Sequence, residues 1–274
     1  MSSFWMARVF YNEGISGNLT GVVQLEKDIG DIASKKMATR LQLPDTAFIW
    51  KENSMKHRTY SPYEELEFCT QTLLATGAVQ KIQSKNLERF EFEGATGLIS
   101  VFTQGDDIWW IEQTPGEISP YYNYDVLNEL SISKNILGGM LGVGGNGRKR
   151  LYIPINSEEN LYIVHLKPSL VMNICQRMGI NGIVLFVKKD QSNVLLRVFT
   201  TSLAGNEDAA TGGAALGLLG YNQLFSFGLS NNIRVDQGHI DSSSRGCIYL
   251  KNDVENNQNL IGSKVDVLIE GLIL

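Results

Sequence analysis

Hydrophobic positions along the chain fall mostly into short runs that alternate with polar positions. Alternation over a few residues predicts a β-strand, because successive side chains of a strand point to opposite faces of its sheet. On this basis, strands are predicted near residues 6–11, 20–25, 47–51, 58–61, 87–92, 98–103, 108–113, 151–154, 160–164, 182–187, 195–200, 246–250, 264–268 and 271–274.

A second group of hydrophobic runs has the spacing of an α-helix. Two of these helices are long and rich in alanine and leucine, and they lie about half a chain apart. Many strands with one long apolar helix per half predict an α+β fold in which each sheet wraps around its helix. Helices are predicted over 28–41, 70–83, 126–136, 169–177 and 211–228. The apolar face predicted for the first helix consists of Ile29, Ile32, Ala33, Met37 and Leu41.

Two segments rich in glycine or proline interrupt this pattern. Residues 114–120 carry two prolines and a glycine, which favours a linker between domains. Residues 142–147 contain the GxGxxG spacing of a dinucleotide-binding loop. That motif requires a strand before it and a helix after it, whereas here a helical pattern precedes it and a strand-like segment follows. We therefore reject a dinucleotide site.

The starts of the two long helices are the strongest candidates for chemistry. The later helix follows the acidic pair Glu207-Asp208 and begins with Thr-Gly-Gly, and residues 65–75 have a similar arrangement. The first-turn N–H groups of a helix lack intrahelical partners, and small residues let a ligand reach them, so a carboxylate is the expected guest. The alternative is that both segments are ordinary buried helices with acidic caps.

Composition restricts the class of protein. The 274 residues suffice for one large or two medium domains with a full hydrophobic core. A net charge of −5 argues against a general nucleic-acid surface, and the basic cluster at residues 148–150 is interpreted as a solvated loop. Three cysteines without metal-ligand spacing argue against a metal site and a disulfide framework. The sequence shows no signal peptide or membrane-spanning run, so we expect a soluble, cytoplasmic protein that binds neither membrane nor nucleic acid.

Six sequence blocks follow one another in a recognisable order over nearly the whole chain. They are residues 16–23, 43–48, 58–62 with 65–72, 197–199, 207–214 and 237–245. Within them, Asp45 lies in Leu-Pro-Asp-Thr-Ala-Phe, and Asp208 lies in Glu-Asp-Ala-Ala-Thr-Gly-Gly-Ala. In this order and at plausible spacing, the blocks resemble those of the phenazine-biosynthesis PhzF-like family.

The resemblance implies a diaminopimelate-epimerase-like fold. This is an α+β fold of two pseudo-symmetric halves, each a curled mixed sheet wrapped around a central helix, with the active site in the cleft between them. The last strand returns to the first half, so the halves would be residues 1–117 plus 265–274, and residues 118–264. The resemblance also implies a homodimer that acts on a small-molecule carboxylate without cofactor or metal.

Three catalytic residues are carried over by this resemblance. Asp45 occupies the position of the family's Glu general acid/base and is shorter by one methylene. Asp208 matches the family's substrate-contacting Asp and would bind an amino or hydroxyl group of the substrate. Gln71 replaces the usual histidine, and it would fix orientation because an amide can hydrogen-bond but cannot titrate.

Further residues are predicted to bind the substrate. The two helix starts would hold its carboxylate, and Gly212 and Gly213 match the family's Gly-Ser at the second of them. Cys69 also lies where racemases of this fold carry a catalytic cysteine, but the partner position is Thr211, which disfavours a two-thiol mechanism. The predicted substrate-binding residues are Asn18, Cys69, Thr70, Thr72, Thr211, Gly212 and Gly213.

The predicted activity is a cofactor-independent isomerase that moves a proton within a small unsaturated or cyclic amino or carboxylic acid in specialised metabolite biosynthesis. A dehydratase, lyase or epimerase that uses Cys69 as its base is one alternative, since a helix start would lower the pKa of the Cys69 thiol. A family member that lost catalysis and only binds a small acid or a partner is the other.

Overall fold

The computed structural model describes residues 2–105, 107–253 and 258–273. The chain divides into two compact units, Met1–Glu112 with Gly262–Leu274, and Gln113–Ile261. Their boundaries differ by a few residues from those of the domains predicted from the sequence. Leu274 is the last residue of the last predicted strand and of the first predicted domain, and it lies outside the described residues. Residues 1, 106 and 254–257 of the predicted domains lie outside them as well.

Strands predominate in both units. The first unit contains β1 (Ser2–Tyr11), β2 (Asn18–Gln24), α1 (Asp31–Leu41), β3 (Asp45–Lys51), β4 (Met55–Tyr60), β5 (Glu65–Leu66), α2 (Thr70–Gln83), β6 (Arg89–Gly94), β7 (Gly97–Thr103) and β8 (Ile108–Glu112). The second contains β9 (Glu117–Pro120), α3 (Asp125–Glu129), β10 (Gly142–Gly145), β11 (Arg150–Pro154), α4 (Glu158–Ile163), α5 (Pro168–Met178), β12 (Gly182–Lys188), β13 (Asn193–Thr200), β14 (Glu207–Asp208), α6 (Gly212–Phe225), β15 (Asn232–Gln237) and β16 (Gly246–Asp253). A last strand, β17 (Gln258–Ile273), begins in the second unit, and its later part pairs with β1 of the first.

The two units repeat one pattern of strand pairing. In the first, β2 and β3 are parallel, β3 and β5 both pair antiparallel with β4, and β6 pairs parallel with β4 and antiparallel with β7. In the second, β11 to β16 pair in the same order and with the same directions. The predicted α+β fold of pseudo-symmetric halves, each a mixed sheet with a central helix, is therefore confirmed.

The strand registers identify equivalent positions in the two units. In the strand registers, Tyr60 is paired with Thr46 on one neighbouring strand and with Glu65 on the other. Phe199 is paired in the same way with Ile183 and Glu207. Following these registers into the neighbouring strands makes Thr20 equivalent to Arg150 and Asp45 equivalent to Gly182. Counting forward from Glu65 and Glu207 makes Cys69 equivalent to Thr211 and Gln71 equivalent to Gly213.

The central helices α2 and α6 are buried because they are apolar on most sides. Every residue of α2 from Thr70 to Gln80 is buried, and the helix packs on β1, β2, β3 and β8. Helix α6 packs on β9, β10 and β16, and Gly217 leaves the space that the Tyr152 ring occupies. No helix of the described residues is long and apolar enough to cross a membrane.

One predicted strand is wrong. Residues 160–164 were predicted to be extended, but residues 158–163 form α4. The Ser157 side chain accepts a hydrogen bond from the Asn160 N–H, and two glutamates occupy the first turn. A serine cap and early acidic residues stabilise a helix start, and this local chemistry outweighs the β-propensity of the apolar residues that follow.

Other predicted elements differ in extent. Helix 126–136 ends at Glu129, since Ser131 adopts a left-handed conformation with φ 57°. The predicted linker at 114–120 includes strand β9, and β15 was not predicted although Ile233 and Val235 alternate with polar residues. In α1, Ile32 is 87% exposed, because the helix turns Ser34 and Ala38 to the core instead.

His57 makes the stability of the first unit dependent on pH. Its ring on β4 is buried, and burial lowers its pKa to about 4. The native state therefore stays neutral while the unfolded chain takes up a proton below its ordinary value near 6.5. We expect the free energy of unfolding to fall by about 3 kcal/mol as the pH drops from 6.5 to 4, and to gain nothing further from this group above 6.5.

Urea unfolding at pH 7 and pH 4.5 checks this expectation. The His57→Gln variant, which cannot titrate, should lose less stability between the two pH values than the unaltered protein. Equal losses in both proteins would mean that other groups cause the pH dependence.

Candidate functional site

Asp45 is held at the start of strand β3. The Thr20 hydroxyl donates a hydrogen bond to the Asp45 carbonyl oxygen at 2.8 Å, and β2 runs parallel beside it. Residues 46–50 are buried, whereas Asp45 itself is half-buried. Its backbone is therefore fixed by the sheet while its carboxylate remains within reach of a ligand.

Cys69 contacts this carboxylate from the cap of helix α2. Its Sγ donates to Asp45 Oδ2 at 3.5 Å. Burial and the negative charge of Asp45 raise the pKa of Cys69 well above that of an ordinary thiol. From the sequence, the helix start was expected to lower this pKa. That expectation is wrong, because the helix dipole is a weaker influence than burial and the adjacent carboxylate.

Alkylation tests the protonation of Cys69. We expect iodoacetamide to modify Cys69 slowly at pH 8, because the thiolate is the reactive form. Asp45→Asn should accelerate the reaction, since it removes the charge that disfavours the thiolate. Peptide mass spectrometry measures both rates, with the buried Cys175 as internal reference. A thiol that titrates below its free value of about 8.5 would contradict the assignment.

Gln71 is fixed against strand β2. Asn18 Nδ2 donates to Gln71 Oε1 at 3.3 Å, and Gln71 Nε2 donates to the Leu19 carbonyl oxygen at 2.9 Å. Gln71 is only 5% exposed, so its amide is held in one orientation. The structure thus brings four predicted site residues, Asn18, Asp45, Cys69 and Gln71, to the start of α2 in the first unit.

The side chains of Thr70 and Thr72, at this helix start, are less accessible to a ligand. Thr72 is fully buried, and its hydroxyl shares a hydrogen bond of 2.8 Å with that of Thr59. Its Oγ1 also donates to the Cys69 carbonyl oxygen at 3.2 Å. The Thr70 side chain is buried as well. The side chain of Thr72 therefore stabilises the fold, and only backbone N–H groups at these positions suit a ligand.

A second cluster surrounds the start of α6. Thr211 Oγ1 donates to Asp208 Oδ2 at 2.6 Å, and the Thr211 N–H donates to Gln237 Oε1 at 2.9 Å. Gln237 Nε2 in turn donates to the Asp208 carbonyl oxygen at 2.8 Å. The fully buried Gln237 thus fixes both predicted site residues. From the sequence, Gln237 was placed in one of the blocks that resemble the family's, but its role in fixing Asp208 and Thr211 was not predicted.

The Asp208 carboxyl has an altered pKa. Burial raises it above its ordinary value, against the opposing influence of the Thr211 hydroxyl, the N–H groups of Ala210 and Ala209, and the positive charge of Arg150. Because those donors stabilise the charged form, they orient the carboxylate as well as limiting the shift. Asp208 is thereby suited to accept a hydrogen bond from an amino or hydroxyl group.

The first turn of α6 is open to a ligand. Thr211 precedes the helix, yet its hydroxyl bonds to Asp208 and does not cap the first N–H groups. Gly212 is buried and Gly213 is exposed. A helix start whose cap residue faces elsewhere retains unpaired N–H groups, and these suit an anion.

Arg150 was misjudged from the sequence. Arg148 and Lys149 are exposed as expected, but Arg150 is the first residue of β11 and is only 5% exposed. Its guanidinium lies at the start of α6, with Nη1 3.5 Å from where a Cβ on Gly213 would stand. A run of basic residues is typical of an exposed loop. The burial of Arg150, the last residue of this run, depends on strand pairing that the sequence does not show.

Groups of three or more His, Cys, Asp or Glu side chains that could hold a metal ion do not occur among residues 2–105, 107–253 and 258–273.

Comparison with known proteins decides the family. The family model described as phenazine biosynthesis-like protein, PhzC-PhzF, matches residues 7–271. The chain belongs to this family. An uncharacterized isomerase from Clostridium acetobutylicum is 25% identical over 224 residues, which cover 75% of this chain and 74% of that protein. The prediction of a PhzF-like enzyme of the isomerase class is thereby confirmed at the level of the family.

Solved structures share the fold. The Bacillus anthracis phenazine biosynthesis protein of the PhzF family is 16% identical, with a TM-score of 0.80 over 100% of this chain and 99% of that one. A hydroxyproline epimerase from Agrobacterium vitis, with bound trans-4-hydroxy-L-proline, is 9% identical, with a TM-score of 0.65 over 99% of this chain and 90% of that one. At these identities the likeness concerns the fold alone.

Proposed function

We propose that this protein is a cofactor-independent isomerase that moves a proton within a small unsaturated or cyclic amino or carboxylic acid in specialised metabolite biosynthesis. The observation that carries the proposal is the Asp45 carboxylate, which is fixed by its backbone, partly accessible, and beside the start of a buried helix. A base that returns the proton it removes needs no co-reactant, because the reaction changes only the position of one hydrogen and one double bond.

In this proposal Asp45 takes the proton from one carbon of the acid and returns it to another. Proton transfer requires an approach of about 2.6–3.2 Å, so substrate position matters. Cys69 donates its S–H to Asp45 Oδ2, and this hydrogen bond holds that oxygen in place. The high pKa of Cys69 keeps the thiol protonated, which supports Asp45 over Cys69 as the base.

The remaining residues bind and orient the acid. Gln71 is held by Asn18 and the Leu19 carbonyl oxygen, and this rigidity suits an orienting part. Asp208 accepts a hydrogen bond from an amino or hydroxyl group of the substrate, while N–H groups at the starts of α2 and α6 bind its carboxylate. The placement of the active site in a cleft between the halves, and the homodimer, stay predictions.

Proton NMR in deuterated buffer tests the proposal. Dihydroaromatic acids, pyrroline carboxylates and amino acids are incubated with the protein, and incorporation of solvent deuterium at carbon is followed. Incorporation that disappears in Asp45→Asn supports the isomerase. Incorporation that survives in Asp45→Asn but is lost on alkylation of Cys69 would favour the lyase or epimerase alternative. Binding of these acids without any exchange would favour a family member that has lost catalysis.

A further inference from the structure

Arg150 is a buried cation that the negative charge of Asp208 influences, although the two side chains form no salt bridge among the described residues. Its Nη1 donates to the Arg148 carbonyl oxygen at 2.9 Å, and its Nε is buried with no hydrogen-bond partner among the described residues. Arg150 forms no ion pair within the described part of the chain. Burying an unpaired charge is unfavourable, so such a group is expected to serve a ligand.

The same guanidinium lies against the open start of α6. A Cβ placed on the exposed Gly213 would stand 3.5 Å from Nη1 and 3.7 Å from Nη2. The partial positive charge of the helix start and the full charge of Arg150 therefore act on the same space. Asp208, the acidic residue nearest in sequence to this helix start, has its Oδ2 bonded to Thr211.

The two units differ at this position. Thr20 is equivalent to Arg150 in strand register, and Gly182 is equivalent to Asp45. The first unit thus presents an acid where the second presents none, and the second presents a cation where the first presents a neutral hydroxyl.

We infer that Arg150 binds the carboxylate of the ligand together with the first-turn N–H groups of α6, and that it makes a negative charge a requirement of the site. The planar guanidinium fork matches the geometry of a carboxylate. The identification of this ligand with the substrate rests on the proposed function, whereas the binding itself does not.

Calorimetric titration with benzoate tests the inference, with benzamide as the uncharged counterpart of the same shape. We expect benzoate to bind the unaltered protein and benzamide to bind far more weakly. Arg150→Gln should weaken benzoate binding by about 10- to 100-fold, the effect of losing a charged hydrogen-bond partner. Arg148→Gln removes a charge from the same segment at an exposed position and should leave the affinity unchanged.

The variants Arg150→Lys and Arg150→Met distinguish a ligand-binding role of Arg150 from a structural role. Lysine keeps the charge without the fork, so it should retain part of the affinity and provides the test if the glutamine variant does not fold. Without ligand, Arg150→Met should unfold at the same denaturant concentration as the unaltered protein or a higher one. Equal benzoate affinity in the glutamine variant, or no benzoate binding by the unaltered protein, would overturn the inference. Neither result requires turnover, so both are distinguishable from failure of the isomerase proposal.

Discussion

Asp45→Asn is expected to lower turnover by about 100- to 10,000-fold, the usual contribution of a positioned proton-transfer group. Asparagine has nearly the same shape as aspartate but cannot accept a proton at neutral pH. The Asp45 carbonyl oxygen keeps its hydrogen bond from Thr20 in the variant, so the start of β3 should stay in place. Deuterium incorporation into the substrate measures the loss.

A second variant, in which a different carboxylate is neutralised, controls for the loss of negative charge alone. Glu67 is an exposed carboxylate two residues before Cys69, and Glu67→Gln removes the same charge near the same helix start. Exchange in this variant should stay within about tenfold of the unaltered rate, since an exposed charge acts weakly through solvent. Comparable losses in both variants would show that the local potential, and not the proton acceptor, limits the reaction.

The central helices were predictable because their signal is local. Helix α2 extends from Thr70 to Gln83 as its apolar run predicted. Helix α6 ends at Phe225, before the predicted end, because Ser226 adopts a left-handed conformation with φ 48°. A buried helix carries an apolar run long enough to be recognised by itself, whereas its last residue depends on how the following turn leaves the sheet.

Parts of the candidate site depend on pairing between distant segments, which a single sequence does not show. Cys69 lies 24 positions after Asp45, and the contact between them adds to the rise in the pKa of Cys69 that burial causes. Arg150 is buried because β11 pairs with β10 and β12. The segment Leu151–Pro154 was predicted as a strand, but only the register shows that the strand begins one residue earlier.

The repeat of the two units also extends to an ion pair. Arg58 on β4 donates through Nε and Nη2 to both carboxylate oxygens of Glu65. Arg197 on β13 donates through the same two atoms to both carboxylate oxygens of Glu207. Each pair links a long strand to the short strand that precedes a central helix. The pairs therefore fix the approach to the helix start in both units.

Arg197→Met is expected to lower the free energy of unfolding by about 3–5 kcal/mol, the cost of breaking a buried pair by removal of one partner. The Arg197 side chain is 4% exposed, and its Nη1 also donates to the carbonyl oxygens of Leu161 and Val164. Methionine fills similar space but leaves Glu207 and both carbonyl groups without their donor. Guanidinium unfolding followed by circular dichroism measures the loss.

Arg58→Met provides the matched comparison, since the Arg58 side chain is 26% exposed and water can replace its hydrogen bonds. Its loss should be about 1 kcal/mol or less, the range of accessible ion pairs. In the double variant Arg197→Met with Glu207→Met, part of the stability should return, because no partly buried carboxylate remains without its donor. Equal losses of unfolding free energy in Arg197→Met and Arg58→Met would mean that burial does not determine how much each ion pair stabilises the protein. A double variant less stable than Arg197→Met would show that Glu207 stabilises the unit through contacts other than Arg197.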